Sequence, residues 1–147
     1  MSSSGKSTIE VVMEKLLEVL RSDEVLGREV REFSLSEPAQ VVEFPLLYVE
    51  FSPEAGEEFV VKSSSLYERR MRFDICVVDR DIDPEKADAR VFRLAERICR
   101  RVAGDPTLGG TVEDTIIERM LPSYGVLGDH AISKAVVRVA CRVMWRA

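Results

Sequence analysis

The chain has 147 residues, of which 46% are hydrophobic and 32% charged, and its formal net charge is −5. An acidic chain is a poor direct binder of nucleic acid, which needs a basic surface. No apolar run approaches the roughly 20 residues that cross a bilayer, and the N-terminus lacks a signal-peptide pattern. We expect one cytosolic domain over residues 1–147, with residues 1–6 disordered and no membrane or direct nucleic-acid partner.

The first predicted element is a helix over residues 7–22. Ser7 and Glu10 have the spacing of a capping box, in which each side chain bonds the other's backbone N–H. Apolar residues then recur three and four positions apart, which gives one apolar stripe. Gly5-Lys6-Ser7 also resembles the end of a phosphate-binding loop, but the earlier glycine and the strand of that motif are missing. The sequence therefore favours a helix cap.

Extended segments follow this helix. Residues 29–36 alternate weakly and predict a short strand, and residues 46–51 predict a strand that starts after Pro45. Residues 52–58 are rich in turn formers, and residues 59–79 predict one long extended segment. Met71, Phe73, Ile75 and Val77 alternate there with polar or smaller residues. Ser63, Ser64 and Ser65 interrupt the pattern as a bulge or a flexible stretch.

The second half of the chain repeats the change from helix to strand. Asp83 is a predicted N-cap, Pro84 suits the first helical position, and Gly104 ends the helix. Residues 111–121 are rich in Thr, Val and Ile and predict a strand. Residues 122–133 predict a polar loop, and residues 134–146 predict a strand with strict alternation. The order α-β-β-β-α-β-β indicates an α+β fold with a mostly antiparallel sheet and two helices packed on one face.

Catalytic and metal-binding patterns are weak. Cys76, Cys99 and Cys141 have no metal-ligand spacing, and each falls in an apolar pattern. His130 has no nucleophile in a glycine-rich elbow near it. Asp79, Asp81 and Asp83 lack the glycine of a calcium loop, which favours a solvated turn. We expect no enzyme activity, no metal and no cofactor.

Arginines form two rows on predicted strands. Residues four apart in a strand share a face, so each row is either a solvated surface paired with nearby acids or a charged contact with a partner. The sequence leaves both interpretations open. The rows are Arg69, Arg70 and Arg72 in the third strand and Arg138, Arg142 and Arg146 in the last.

Nearly the whole chain resembles the tail terminator proteins of long-tailed phages, a family that includes related tail completion and head–tail joining proteins. The resemblance lies in the opening amphipathic helix and in four stretches of local sequence. These are "FPLLYVEF" (44–51), "YERRMRFDICVVDRD" (67–81), "ADARVFRLAERICRRV" (87–102) and "LGGTVEDT" (108–115). The chain departs from the family in ending with "RVMWRA" and in its acidic loop at residues 53–58.

The resemblance implies a non-enzymatic ring, usually a hexamer, on the head-proximal end of the tail tube. Such a ring stops tube polymerisation and meets the head connector, so the implied partners are other copies of the chain, the tail tube protein and the head–tail connector protein. The implied location is the cytoplasm during assembly and then the virion tail. The rival interpretations are a stand-alone α+β binding module and a small enzyme with a dispersed site.

Two surfaces are candidates for the implied contacts. The region 52–66 predicts a partner-binding arm. The opposite charges of Asp79, Asp81 and Asp83 and of the arginine rows predict complementarity between protomers. The arm residues are Glu57, Glu58, Lys62, Ser63, Ser64 and Ser65.

The low number of asparagine and glutamine side chains indicates the kind of organism that the chain comes from. Asparagine is absent, Gln40 is the only glutamine, and arginine outnumbers lysine. Few thermolabile amides and abundant charge are typical of thermophilic proteins. With the resemblance, this composition suggests a virus or provirus of a thermophile.

Overall fold

The structure is a computed structural model that describes residues 5–40, 43–127 and 130–147, without the side chains of residues 126, 127 and 130. The expected disorder of residues 1–4 therefore lies outside the described residues, and so does the environment of the His130 side chain. Lys6, at the end of the segment expected to be disordered, lies with its Nζ atom 2.8 Å from Glu14 Oε1.

Three helices and six strands make up the described part of the chain. The helices are α1 (Thr8–Arg21), α2 (Glu24–Glu29) and α3 (Pro84–Ala103). The strands are β1 (Glu32–Leu35), β2 (Leu46–Phe51), β3 (Glu57–Val61), β4 (Leu66–Asp79), β5 (Asp114–Leu127) and β6 (His130–Arg146).

The strands form one sheet in the order β1-β2-β4-β6-β5, and β3 pairs with β4 beyond the end of β2. Only β1 and β2 run parallel, and the other pairs are antiparallel. The predicted α+β class and mostly antiparallel sheet are confirmed. The helices are three rather than two, and they lie on one face of the sheet.

The predicted caps position the two long helices. The Glu10 N–H donates to Ser7 Oγ over 3.1 Å, and the Ser7 N–H donates to Glu10 Oε1 over 3.0 Å, which completes the capping box. At α3, the Glu85 N–H donates to Asp83 Oδ1 over 3.1 Å. Each cap satisfies a backbone donor that the first helical turn leaves without an internal partner.

The main core lies between the helices and one face of the sheet. The predicted alternation is confirmed, because alternate residues of β4 and β6 pack against the apolar stripes of α1 and α3. The residues predicted to meet there are all buried: Ile75, Val77, Val137 and Val139 from the sheet, and Leu16, Leu20, Leu94 and Ile98 from the helices. Cys141 joins them, and burial raises the pKa of its thiol to about 11, as suits an unreactive core side chain.

A second apolar cluster lies on the opposite face of the sheet, away from the helices. Leu46, Tyr48, Cys76 and Val78 are buried there, and Phe44, Ile132 and Val136 pack against them. In β2 and at the end of β4, odd- and even-numbered residues are both apolar. Both faces of the sheet are therefore buried at this end.

The structure differs from the predicted elements in three places. Residues 24–29 are helical because Asp23 caps them, with its Oδ2 accepting from the N–H groups of Val25 and Leu26 over 3.1 and 3.0 Å. The long segment 59–79 is two strands joined by a turn at residues 62–65. The predicted loop 122–133 consists largely of the ends of β5 and β6.

Pro122 fits within β5 because that strand is an edge of the sheet, where a missing N–H costs no ladder bond on the open side.

Asp23 also ties α2 to α3. Its carboxylate is almost fully buried and accepts from Arg97 Nε and Nη2 over 2.9 and 2.7 Å. The hydrogen bonds from Arg97 lower the pKa of Asp23 below its ordinary value of 3.8, and burial opposes them. A carboxylate with a lowered pKa stabilises the folded state above its ordinary pKa, and this contribution is lost as the pH falls.

We predict that Asp23→Asn lowers the free energy of unfolding at pH 6 and that its difference from wild type shrinks as the pH drops below about 4. Asparagine still caps the helix but cannot form the ion pair with Arg97. Urea unfolding at several pH values between 6 and 2.5 measures the difference. A difference that stays constant across this range would show that the ion pair contributes nothing.

We predict that Ser7→Ala lowers the free energy of unfolding by about 1 kcal/mol through loss of the cap on α1. Ser64→Ala, an identical change at an exposed turn position, is the control and should alter stability by less than about 0.5 kcal/mol. Urea unfolding at neutral pH compares the two variants. Equal stability of both with wild type would contradict the capping role.

Candidate functional site

The arm is a three-stranded end of the sheet, formed by residues 57–71 and 142–147. It contains β3, the turn at 62–65, the start of β4 and the end of β6. The N–H of Ala147 donates to the Ser65 carbonyl over 2.8 Å, which ties the C-terminal residue to the turn. The buried core stops at Met71 and Cys141, so the arm extends from it.

Aromatic side chains cover the helix-side face of the arm. The ring centroids of Phe59 and Tyr67 are 6.4 Å apart, those of Phe59 and Trp145 are 6.0 Å apart, and those of Tyr67 and Trp145 are 5.9 Å apart. The Arg69 guanidinium lies 5.2 Å from the Phe59 centroid and 5.7 Å from that of Trp145. Glu57 pairs with Arg69, its Oε1 lying 3.1 Å from Arg69 Nη2. We call Phe59, Val61, Tyr67, Arg69 and Trp145 the aromatic patch.

The aromatic patch is accessible. Phe59 is 51% exposed, Val61 65% and Trp145 41%. Interacting rings hold one another in place, so a partner meets a rigid surface at low entropic cost. Exposed aromatic residues with an arginine are the composition of interface hot spots.

The opposite face of the same strands carries a network of ion pairs within the chain. Glu68 is its centre: it is 2% exposed and accepts from Arg70 Nε over 2.5 Å and from Arg142 Nη1 over 3.1 Å. Lys62 Nζ lies 3.5 Å from the same carboxylate. The hydrogen bond from Arg70 is the main cause that lowers the pKa of Glu68.

Arg72 and a second acid bound by Arg142 complete this network. Arg72 bonds Glu118, with 3.2 Å between Nε and Oε1, and its Nη2 lies 3.5 Å from Glu58 Oε1. Arg142 donates from Nε to Asp114 Oδ1 over 2.6 Å, and this bond raises the pKa of Arg142. Most of the arginines in the two rows therefore meet acids of their own chain.

Arg138 is buried rather than solvated. Its side chain is 9% exposed and that of Asp74 8%, and Arg138 Nε donates to Asp74 Oδ1 over 2.8 Å. Because a buried ion pair carries a large desolvation cost, each partner depends on the other. Arg146, by contrast, is exposed and takes part in none of the ion pairs between described residues.

The predicted acidic turn lies at the other end of β4 from the arm. Arg90 of α3 bonds both Asp79 and Asp81, its Nη2 lying 2.9 Å from Asp81 Oδ2. Asp79 lies nine positions along β4 from Arg70, which is about 30 Å at roughly 3.3 Å per residue. Within one chain the acidic turn and the arginine rows do not meet, so complementarity between them stays a prediction about neighbouring copies.

A second exposed apolar strip follows the edge strand β5, with Met120 and Tyr124 on the helix side of the sheet and Ile116 and Leu121 on the other side. Ile116 is 50% exposed, Met120 40%, Leu121 38% and Tyr124 65%. In the sheet that the described residues form, the outer backbone edge of β5 has no neighbouring strand. A long edge with apolar side chains is a template for pairing with another chain.

The predicted arm, residues 52–66, overlaps this end of the sheet, and its binding of a partner stays a prediction. The aromatic patch was not predicted from the sequence. Arm residues Glu57, Glu58 and Lys62 are all in ion pairs within the chain, and Ser63, Ser64 and Ser65 lie in the turn. If that turn is taken as the turn of a hairpin, the register of β3 and β4 places Val61 opposite Tyr67. The alternation of side chains along both strands then puts the residues of the patch on one face.

The described residues show no group of three or more His, Cys, Asp and Glu side chains that fits a metal ion. None of the helices in the described ranges has both the length and the apolar character that a membrane span requires.

Comparison with known proteins identifies the fold. No protein-family profile and no curated protein matches the chain. The structure of the gp17 protein of bacteriophage SPP1 is similar, with a TM-score of 0.54 and 14% identity over 97% of this chain and 95% of that one. A chain of the virion of a native gene transfer agent particle is similar with a TM-score of 0.55 and 14% identity, over 96% of this chain and 100% of that one. The chain thus has the fold of a bacteriophage protein and of a gene transfer agent virion component.

We predict that Arg138→Leu lowers the free energy of unfolding by about 3–5 kcal/mol, because it leaves the Asp74 carboxylate buried without its partner. The double variant Asp74→Leu/Arg138→Leu should recover most of the loss, since neither charge is then buried alone. Urea unfolding of both variants measures the effect. A double variant no more stable than Arg138→Leu would contradict the interpretation.

Proposed function

We propose that this chain is a non-enzymatic structural protein of a tailed virus or provirus. Its copies form a closed ring, a hexamer, on the head-proximal end of the tail tube. The ring stops tube polymerisation and presents a surface to the head–tail connector protein. The protein assembles in the cytoplasm and ends in the virion tail. The observation that carries the proposal is the shared fold with a bacteriophage protein and a gene transfer agent virion chain over nearly the full length of each.

The two edges of the sheet are unlike each other, and this difference supports a ring. One side ends in β5, and the other ends in β1 and β3. A contact between unlike edges is heterologous, and it closes into a ring when the rotation between copies divides a full turn. A contact between like edges would stop at a dimer.

Strand direction is compatible with such a contact. β3 is antiparallel to β4, β4 to β6, and β6 to β5, so β3 and β5 run in opposite directions. Rotation about an axis along the strands preserves strand direction. β3 of one copy would then run antiparallel to β5 of the next, as most neighbouring strands of each copy do. Because β3 lies level with residues 141–145 of β6 and β5 pairs with residues 130–142, the strands must tilt relative to the ring axis for the two edges to meet.

Side chains at the two edges complement each other. The aromatic patch lies beside β3, and the exposed apolar strip lies along β5. Arg119 on β5 is exposed and absent from the ion pairs between described residues, whereas Glu58 on β3 has a half-exposed side chain. Arg70 and Arg146 add positive charge near the end of the arm. These charges would fix the register of the contact.

The contact is expected to be weak in dilute solution. Aromatic side chains bury about 150–250 Å² each when fully covered, and those of the patch are already partly covered. A stable interface needs about 800 Å² per partner. The ring would therefore gain stability from closure and from the tube end beneath it, and a monomer at low concentration is compatible with the proposal.

We predict that the wild-type chain bounds the length of tubes grown from the cognate tail tube protein, because it caps their ends. Phe59→Ser/Trp145→Ser should give over-long tubes through loss of the arm contact. Ile82→Ser, which alters a fully exposed residue in the loop before α3, should cap as wild type does. Negative-stain electron microscopy measures the tube lengths.

Urea unfolding of each variant separates loss of the contact from loss of the fold. Reversing the charge of Arg70 and Arg72 by substitution with glutamate is a poorer test of the contact, since it also breaks their ion pairs with Glu68 and Glu118. If wild-type protein leaves tube length unchanged, the capping function is wrong, and a stand-alone binding module takes its place.

A further inference from the structure

A polar cavity lies at the end of β4 that is remote from the arm. It is open to solvent, has a volume of about 490 Å³ and is lined by the end of α2, the Phe44–Pro45 segment before β2, the end of β4 and one side of α3. This volume falls within the roughly 300–1,000 Å³ range of small-ligand sites. Its charged lining residues are Arg28, Glu29, Arg31, Asp79, Arg80 and Arg90.

The two carboxylates at this cavity, those of Asp79 and Glu29, already form ion pairs with arginines of the chain. Asp79 is buried against Arg90, and its Oδ1 accepts from the Arg80 N–H over 2.8 Å. Glu29 Oε1 accepts from Arg93 Nη1 over 2.7 Å, and Arg28 lies 3.9 Å from the other oxygen of Glu29.

The arginine side chains are in excess at the cavity. Arg31 and Arg80 are exposed, and neither guanidinium takes part in an ion pair between described residues. An acidic chain of net charge −5 thus concentrates uncompensated positive charge around one concavity, where low-dielectric walls strengthen its field.

Two arginines at the cavity are already oriented, and one of them, Arg80, has no ion-pair partner among the described residues. The Arg80 guanidinium lies 4.9 Å from the centroid of the Phe44 ring, and Arg90 is fixed by Asp79 and Asp81. A guanidinium that is held in place loses less entropy when it binds a ligand. This arrangement distinguishes the cavity from a random set of surface arginines.

We propose that this cavity binds a phosphoryl group, with Arg31 and Arg80 as its principal ligands and Arg28 at its rim. Arginine forks match phosphate oxygens bidentately. Several guanidiniums around one compact concavity suit the clustered oxygens of a phosphoryl group. An acidic peptide presents its carboxylates on alternate sides of an extended chain, about 3.3 Å apart per residue, and suits a longer groove. The group belongs either to a free polyphosphate or to a nucleic-acid backbone.

The test is isothermal titration calorimetry of the purified chain with pyrophosphate at pH 7 in about 0.15 M KCl. Wild-type protein should bind one equivalent, and added salt should weaken the binding. Arg31→Gln/Arg80→Gln should bind at least about tenfold more weakly. Arg119→Gln, an exposed arginine on β5, should bind as wild type does. Equal melting temperatures would confirm that each variant is folded.

Competition distinguishes the sources of the phosphoryl group. A short single-stranded DNA that displaces pyrophosphate from wild-type protein indicates a nucleic-acid backbone, whereas displacement by tripolyphosphate alone indicates a free polyphosphate. Absence of pyrophosphate binding, or binding that the double variant retains in full, would overturn the proposal. So would a hexaglutamate peptide that binds more tightly than pyrophosphate. None of these outcomes depends on ring formation or tube capping.

Discussion

The antiparallel pairing of β4 with β6 is the constraint on which the rest of the structure depends. It joins fourteen residue pairs, from Leu66 opposite Arg146 to Asp79 opposite Ser133. Because side chains alternate along a strand, this register sends one set of residues toward the helices and the other toward the ion-pair network. If one strand slipped by a single residue, its arginines would be buried against α1 and α3 and its valines would be exposed. The buried Arg138–Asp74 pair stabilises only the correct register.

The same pairing explains why the arm is apolar on one face and charged on the other. Odd-numbered residues of β4 face the helices in the middle of the sheet, where Phe73 and Ile75 are buried. Toward the arm the helical cover ends, but the alternation continues through Arg69 and Tyr67. An aromatic surface that would belong to a core is left accessible there. Such a surface is costly in a solitary protein and useful in one that assembles.

Much of the fold follows from local rules, and the sequence predicts those parts. The caps at Ser7 and Asp83, the strand start after Pro45 and the alternation in β4 and β6 each depend on residues close in the chain. The short helix α2 was missed because its cap, Asp23, owes part of its stability to Arg97, which lies 74 residues away in sequence. Both β5 and β6 were predicted, but their extension into residues 122–133 was not, because Pro122 and Gly125 are typical loop residues until β5 is known to be an edge.

The candidate site was less predictable, since it depends on contacts between distant segments. The arginine rows are visible in the sequence, but their pairing with Glu68, Asp74 and Asp114 is not. The aromatic patch and the arginine-lined cavity each combine residues from three or more segments. Hairpin placement and strand register had to be known before either became visible.

The central claim is that copies of the chain close into a ring through unlike sheet edges at the end of a tail tube. Cryo-electron microscopy of tubes assembled with the chain tests it most directly. The account predicts a closed ring at one end of each tube, with the arm of each copy against β5 of its neighbour. Copies spread along the tube wall, or a ring whose contacts join like edges, would contradict it.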